Sequence, residues 1–338
     1  MTNYTEKTLI KLSNACCVGT VSAAADIAEK ELKKYAAVEK RDRNIIGYQG
    51  SGKYTLMLAA HIDEVGFIVN DVDGNGFLTV AACGGIDLRH LPSRRVVIHG
   101  KKDIKGVFCS VPPHLKGDKE PEFEDIGAFK VDSLLGAEAK KYIAAGDLVT
   151  YDETAAPIGK TRVTGKSLDD RAGVVCLLEL ARRLAGKKLP FKVAYTFTGE
   201  EELGIRGAKT AAYYLDPDEA VAIDVSFGDA PDVKPEFCGK LGGGAMIGIS
   251  PVLDRGISDK LIGTAEQNKI PFVTEILASR TGTDGDMIAI ARGGVRTGLL
   301  SIPLRNMHSP CEVLDLADVK AVCDILEKYI LSGGVKNA

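Results

Sequence analysis

The chain divides into three stretches that differ in their pattern of apolar and polar residues. In the first 35 residues apolar positions recur with a helical period. The run "TLMLAA" that follows is continuously apolar, which is typical of a strand buried on both faces of a sheet. A polar interruption at 61–64 ends this strand, and a second apolar segment follows it.

The middle stretch, from about Val69 to Val163, has a different pattern. Short β-like runs such as "FLTVAA" and "RRVVIHG" alternate with turn signals such as "DGNG", "VPPH" and "AAGD". Closely spaced short strands of this kind predict a small β-rich domain, and we expect a barrel.

The last stretch returns to strands that alternate with helices, which predicts a mainly parallel sheet. The predicted strands are "FKVAYTFT", "EAVAIDVS", "PFVTEILA" and "RTGLLSIP". The predicted helices are "SLDDRAGVVCLLELARRL", "GAKTAAYYL", "SDKLIGTAEQNK", "GDMIAIARGG" and "LADVKAVCDILEKYIL". We therefore predict one discontinuous α/β domain, residues 1–68 plus 163–338, with a small β-barrel domain, 69–162, inserted into it.

Composition and charge narrow the class of protein. The chain has 338 residues, 45% of them hydrophobic, and a net charge of −3, so nothing indicates a nucleic-acid partner. No apolar run reaches the roughly 18–20 residues of a membrane span, and the polar N-terminus does not resemble a signal peptide. Eight cysteines without a Cys-x-x-Cys pair predict reduced thiols in a cytoplasmic protein. The adjacent pair Cys16 and Cys17 leaves redox activity open.

Polar side chains collect where the predicted strands end. They are His61, Asp63 and Glu64, then Asp169 and Asp170, then Glu200, Glu201 and Glu202, then Asp224, and finally His308. Taken singly, Asp170 is a helix N-cap and the glutamates complement a helix dipole. Ligands bind beyond the carboxyl ends of strands in open α/β sheets, however, so we expect these groups to converge. Such a buried cluster needs counter-charge, and two histidines with three carboxylates suit a pair of zinc or cobalt ions.

Five segments also resemble a known family. "AAHIDEVGFIV", "SLDDRAG", "TGEEELGIRGA", "AIDVS" and "RNMHSP" are similar, in order and spacing, to the co-catalytic metallo-aminopeptidases of the tetrahedral type. This family includes glutamyl and deblocking aminopeptidases, and the resemblance covers nearly the whole chain. It implies a zinc-exopeptidase-like catalytic domain, two divalent metal ions (zinc or cobalt, with manganese also compatible), and removal of the N-terminal residue from short peptides.

The resemblance also implies a role for each matching residue. Five residues match metal ligands: His61 and Asp224 for one metal, Glu202 and His308 for the other, and Asp169 as the bridge. Asp63 matches the acid that orients the first histidine, and Glu201 matches the general base that acts on a metal-bound water. Glu200 stands where the family usually has glutamine, and its role is left open. Relatives form dimers through the inserted barrel and assemble into dodecamers, so we expect a homo-oligomer.

Three other functions compete with this interpretation. Some relatives have been labelled cellulases, and two carboxylates suffice for a glycoside hydrolase. This chain has no tryptophan and only 6% aromatic residues, which disfavours a sugar site. A non-catalytic scaffold would have a broken ligand set, whereas all five positions and the base are present. A deacetylase or dipeptidase on the same metal centre stays open, as do the preferred N-terminal residue, the metal used and the assembly formed.

Overall fold

A computed structural model of the chain describes residues 3–19, 23–116, 127, 129–231 and 233–334. In this part of the chain the strands form one eleven-stranded sheet and one closed barrel. The helices are α1 (Asn3–Ser13), α2 (Ala23–Leu32), α3 (Pro113–Lys116), α4 (Leu168–Leu184), α5 (Arg206–Leu215), α6 (Arg255–Gln267), α7 (Asp284–Ala289) and α8 (Leu316–Leu331).

The eleven-stranded sheet holds both ends of the chain. Its main path runs β1-β2-β12-β3-β13-β16-β17-β11-β10, and β14 joins β15 to β16. These strands are β1 (Ala37–Arg41), β2 (Asn44–Gln49), β3 (Thr55–His61), β10 (Ala156–Ile158), β11 (Arg162–Gly165), β12 (Lys192–Thr198), β13 (Glu219–Phe227), β14 (Ala245–Ile249), β15 (Phe272–Ile276), β16 (Arg296–Arg305) and β17 (Glu312–Asp315). The central neighbours β12, β3, β13 and β16 are parallel, which confirms the predicted α/β class with a mainly parallel core.

The apolar run in β3 is explained by helices on both faces of the sheet. Leu56 and Leu58 belong to a core cluster shared with α4 and α8. Met57 and Ala59, which point to the opposite face, join a second cluster formed with α5 and α7. Every residue of β3 is buried, so no polar alternation is expected in it.

Six consecutive strands close the barrel in the order β4-β5-β8-β7-β6-β9. They are β4 (Gly66–Val72), β5 (Phe77–Cys83), β6 (Arg95–His99), β7 (Asp103–Phe108), β8 (Lys130–Asp132) and β9 (Leu148–Tyr151). Alternate side chains fill the interior, where the ring of Phe67 packs edge-on against Phe108 and Tyr151. The barrel is confirmed, whereas the domain boundaries at 68/69 and 162/163 stay a prediction.

The pattern of apolar positions did not reveal the hairpin formed by β1 and β2. Strand β1 lies at the edge of the sheet and all five of its side chains are at least partly exposed, so it has no buried face to mark it. Strands β14 and β17, of five and four residues, were also not predicted. These omissions matter most at the hairpin, which contacts the candidate site.

Two further expectations concern the state of the cysteines and the presence of a membrane-spanning helix. All eight cysteines are free. Burial, together with Glu64, raises the pKa of Cys16 to about 11, so its thiol stays protonated near neutral pH and is a poor nucleophile. In the described part of the chain, none of the helices combines the length and apolar character that a bilayer crossing requires.

Candidate metal centre

Strand ends and helix starts of the central sheet meet at one edge. His61 is the last residue of β3, and the parallel register sets it beside Thr198, the last residue of β12. The glutamate triplet follows Thr198 directly, and Asp224 lies near the carboxyl end of the neighbouring strand β13. The geometry of the parallel sheet therefore brings residues that are far apart in sequence to one place.

Asp169 lies between the two histidines of this group. Its Oδ1 is 3.0 Å from Nε2 of His61, and its Oδ2 is 3.2 Å from Nε2 of His308. Nε2 of His308 is also 3.3 Å from Oε1 of Glu202, and Nε2 of His61 is 3.8 Å from Oδ1 of Asp224. These four contacts link all five predicted ligands into one cluster. Asp169 contacts both of its histidines.

The donor atoms suit divalent cations. Among the described residues, three groups have ligand atoms within 4.8 Å of one another: His61 with Asp170 and Asp224, His61 with Glu201 and Glu202, and Asp169 with Glu202 and His308. Imidazole nitrogen and carboxylate oxygen in this mixture are the ligands that zinc, cobalt and manganese accept. Burying so many carboxylates together is costly unless cations compensate their charge, so the residues present fit a metal centre.

Asp63 contacts both His61 and the loop that carries Glu200, Glu201 and Glu202, here called the glutamate loop. Its Oδ1 lies 3.6 Å from Nδ1 of His61. The same carboxylate accepts backbone N–H groups of Glu201 at 3.0 Å and of Glu202 at 3.2 Å. Asp63 is fully buried, so these bonds fix the backbone of Glu201 and Glu202 relative to the histidine. The contact between Asp63 and His61 was expected from the sequence. The hydrogen bonds from the backbone of Glu201 and Glu202 to Asp63 were not.

Glu312 is a site residue that sequence reasoning missed. Its Oε2 accepts the N–H groups of Leu168 at 2.6 Å and Asp169 at 3.2 Å, while its Oε1 accepts that of His308 at 2.8 Å. One buried carboxylate therefore joins the segments that carry two predicted ligands. The only signal in the sequence is its position four residues after His308 in "HSPCE".

The barrel also reaches the site. Nδ1 of His308 lies 2.7 Å from the carbonyl oxygen of Gly85, in the loop after β5. Donation from Nδ1–H to this carbonyl leaves Nε2 free, and Nε2 is the atom that faces Asp169 and Glu202. The barrel thus sets the orientation of a side chain that belongs to the other sheet.

Electrostatic interactions shift several pKa values in the metal-free cluster. Burial raises the pKa of Glu201 to about 9, against the effect of His61 and with help from Asp224. Burial lowers the pKa of His308, but its bonds to Asp169 and Glu202 outweigh this and raise it to about 11. Burial would raise the pKa of Asp169, yet the two histidines hold it well below its usual range. In the metal-free cluster the raised pKa values of His308 and His61 therefore favour protonated histidines, which offset part of the carboxylate charge.

Glu200 has a partner outside the cluster. Its carboxylate pairs with the guanidinium of Arg43, in the turn between β1 and β2. The next residue, Asn44, accepts the N–H of Gly199 at 3.4 Å and donates to the carbonyl of Gly207 at 3.1 Å. The hairpin therefore holds both ends of the glutamate loop, and the charge of Glu200 is compensated by arginine.

Thr283 and Asp284 lie at the start of α7. The hydroxyl of Thr283 accepts the N–H of Gly285 at 3.2 Å, which is a helix cap. Asp284 is buried and accepts a hydrogen bond from the hydroxyl of Thr198, at the end of β12. Burial raises the pKa of Asp284 to about 6. Asp284 therefore supports the end of β12 beneath the centre, and Thr283 caps α7.

Comparisons with known proteins agree with this fold and centre. A family model described as M42 glutamyl aminopeptidase matches residues 43–325. A putative aminopeptidase of Acetivibrio thermocellus is 34% identical over 290 residues, which cover 83% of this chain and 84% of the relative. An aminopeptidase structure from the archaeon Desulfurococcus kamchatkensis has a TM-score of 0.91 and 30% identity, covering 98% of this chain and 96% of its own.

A second solved structure shares the fold over its whole length. The TET1 peptidase of Pyrococcus horikoshii, which can assemble into a tetrahedron or a large octahedral shell, has a TM-score of 0.86 and 27% identity. It covers 97% of this chain and 99% of its own. Fold, centre and relatives together define a peptide-bond hydrolase. The chain belongs to the M42 glutamyl aminopeptidase family, and this membership implies the use of divalent metal ions.

Proposed function

We propose that this aminopeptidase removes the N-terminal residue from short peptides with two divalent cations and with Glu201 as general base. The observation that carries the proposal is the position of Asp169, whose two oxygens face two different histidines. A carboxylate with one oxygen towards each half of a ligand set is arranged to bridge two cations.

The distances support a division of the ligands between two sites. His61 and Asp224 would hold one cation, and Glu202 and His308 would hold the other, with Asp169 common to both. When bound, two such cations lower the pKa of water and polarise the scissile carbonyl. Zinc or cobalt fits the mixed nitrogen and oxygen donors best, and manganese is also compatible.

The position of Glu201 supports the proposed role of general base. One of its carboxylate oxygens lies within 4.8 Å of ligand atoms of His61 and Glu202, and its loop is fixed by Asp63. The carboxylate would take a proton from the attacking water and deliver one to the departing amine. The pKa of about 9 in the metal-free site falls when cations are bound, because positive charge favours the carboxylate form.

Removal of metal tests the proposed function directly. We expect chelation with EDTA or 1,10-phenanthroline to reduce hydrolysis of aminoacyl-p-nitroanilides by about a thousandfold, since cations contribute several kcal/mol to transition-state stabilisation. Zn²⁺, Co²⁺ or Mn²⁺, added singly, should restore activity and rank the metals. Full activity in metal-free protein would refute the proposal.

The same assay separates the competing functions. An aminopeptidase should cleave free aminoacyl substrates and leave their N-acetylated forms intact. Preferential hydrolysis of the N-acetyl group would indicate a deacetylase, and activity limited to dipeptides would indicate a dipeptidase. Hydrolysis of a soluble cellulose substrate that survives EDTA would instead favour the glycoside hydrolase.

We also propose that the chain forms a homo-oligomer, with dimers made through the barrel and assembled into a dodecamer. Support comes from the similar TET1 peptidase of Pyrococcus horikoshii, which can assemble into a tetrahedron. Light scattering after gel filtration should give about twelve times the 35.9 kDa mass of one chain. A stable monomer at assay concentrations would contradict this proposal.

The eight free cysteines support a reducing, cytoplasmic location.

A further inference from the structure

Asp170 has one carboxylate oxygen without a partner in the described part of the chain. The residue is fully buried. Its Oδ1 accepts the N–H of Gly173 at 2.9 Å, three residues on, which is the expected N-cap bond. Its Oδ2 is buried and forms no hydrogen bond. Buried carboxylate oxygens are nearly always satisfied, so capping alone does not account for this side chain.

The carboxylate of Asp170 lies at the metal centre. One of its oxygens is within 4.8 Å of ligand atoms of both His61 and Asp224, and these three residues form one of the groups able to hold a cation. The backbone at Asp169 and Asp170 is not helical, and the regular helix follows it. Two successive aspartates therefore both reach the centre from the same turn.

Gly173 leaves the space that the carboxylate occupies. A Cβ on Gly173 would overlap both carboxylate oxygens of Asp170, far inside normal van der Waals contact. Both residues are buried where the regular part of α4 begins, and a displaced carboxylate has little room there. The lack of a side chain at Gly173 thus leaves room for the Asp170 carboxylate beside His61 and Asp224.

We propose that Asp170 is a further ligand of the cation held by His61 and Asp224, in addition to its role as helix cap. This inference rests on the proposed two-cation centre. One oxygen caps the helix and the other binds the cation, which satisfies the whole carboxylate. The Asp170 carboxylate then strengthens one cation site and leaves the site of Glu202 and His308 unchanged.

Asp170→Asn separates the two roles. The amide oxygen still accepts the N–H of Gly173, whereas the amide nitrogen cannot bind a cation. We expect affinity for one of the two cations to fall by about 10- to 100-fold, the range found when groups that support a metal site are lost. Titration of metal-free protein with Zn²⁺ against a competing chelator, together with metal content by mass spectrometry, measures this without reference to activity.

A matched control is available at another helix cap. Asp254 caps α6 by accepting the N–H of Ile257 at 3.0 Å, the same i to i+3 bond, and pairs with Arg296. Asp254→Asn should bind both cations with wild-type affinity. A wild-type protein that binds fewer than two cations would refute the two-cation centre itself, which is a different result from any effect of Asp170.

A second variant tests the same contact without removing charge. Gly173→Ala places a methyl group against the Asp170 carboxylate and should weaken the same single cation. Wild-type affinity for both cations in folded Asp170→Asn would overturn the proposal and leave Asp170 as a cap only. If Asp170→Asn does not fold, which its melting curve would reveal, wild-type affinity in Gly173→Ala would overturn it instead.

Discussion

Glu201→Gln is expected to lower kcat by a factor of about 10²–10⁴ while both cations stay bound, since this is the range that a positioned general base contributes. Glutamine keeps the size of the side chain but cannot accept a proton at neutral pH. The backbone N–H of residue 201 still donates to Asp63, so the loop should keep its position. Steady-state kinetics on an aminoacyl-p-nitroanilide, with metal content measured on the same sample, tests this.

The neighbouring residues of the triplet supply controls that change the same chemical group. Glu200 pairs with Arg43 outside the cluster, so Glu200→Gln should change kcat/KM by no more than about fivefold, as for a partly exposed ion pair. Glu202 lies 3.3 Å from His308, so Glu202→Gln should lose metal as well as activity. Near-wild-type turnover in Glu201→Gln would remove Glu201 from the base role.

Much of the candidate site follows from one property of parallel sheets, that their carboxyl ends share an edge. His61, Asp224 and the glutamate triplet each lie at or just after a strand that was identified by its apolar run. Their convergence could therefore be predicted without knowledge of any contact. Their assignment as ligands and base remains a prediction, which metal binding and kinetics have to test.

The contacts that orient these side chains could not be predicted in this way. Glu312 joins the backbone of Leu168 and His308, and the carbonyl of Gly85 reaches His308 from 223 residues away. Such contacts depend on how the barrel and the sheet pack together, and no local periodicity reports that packing. Strand β1 of the hairpin was missed for a related reason, because an exposed edge strand lacks the buried face that makes a strand visible in sequence.

The role of Glu200 shows how such a missed element changes an interpretation. In sequence it is a third negative charge beside Glu201, and its role was left open. In the structure Arg43 compensates this charge from the hairpin turn. Glu200 is therefore better understood as an anchor of the loop than as part of the metal centre.

Asp169→Asn is expected to abolish high-affinity binding of both cations and to reduce kcat/KM by about 10³ or more, the equivalent of several kcal/mol of lost transition-state stabilisation. Asp169 is the residue in contact with both histidines, through different oxygens. Asparagine has one amide oxygen and cannot bridge two cations. Its NH₂ group would also face one of the imidazole nitrogens that has to bind metal.

Metal content and activity have to change together for this prediction to hold, in contrast with Glu201→Gln, which should keep its metals. Asp103→Asn is the matched control, because Asp103 is exposed in the barrel and contacts His99 rather than the centre. Its cation binding and kcat/KM should equal those of the wild type. If Asp169→Asn retained two tightly bound cations, Asp169 would not be the bridge, and the two halves of the ligand set would have to bind their cations independently.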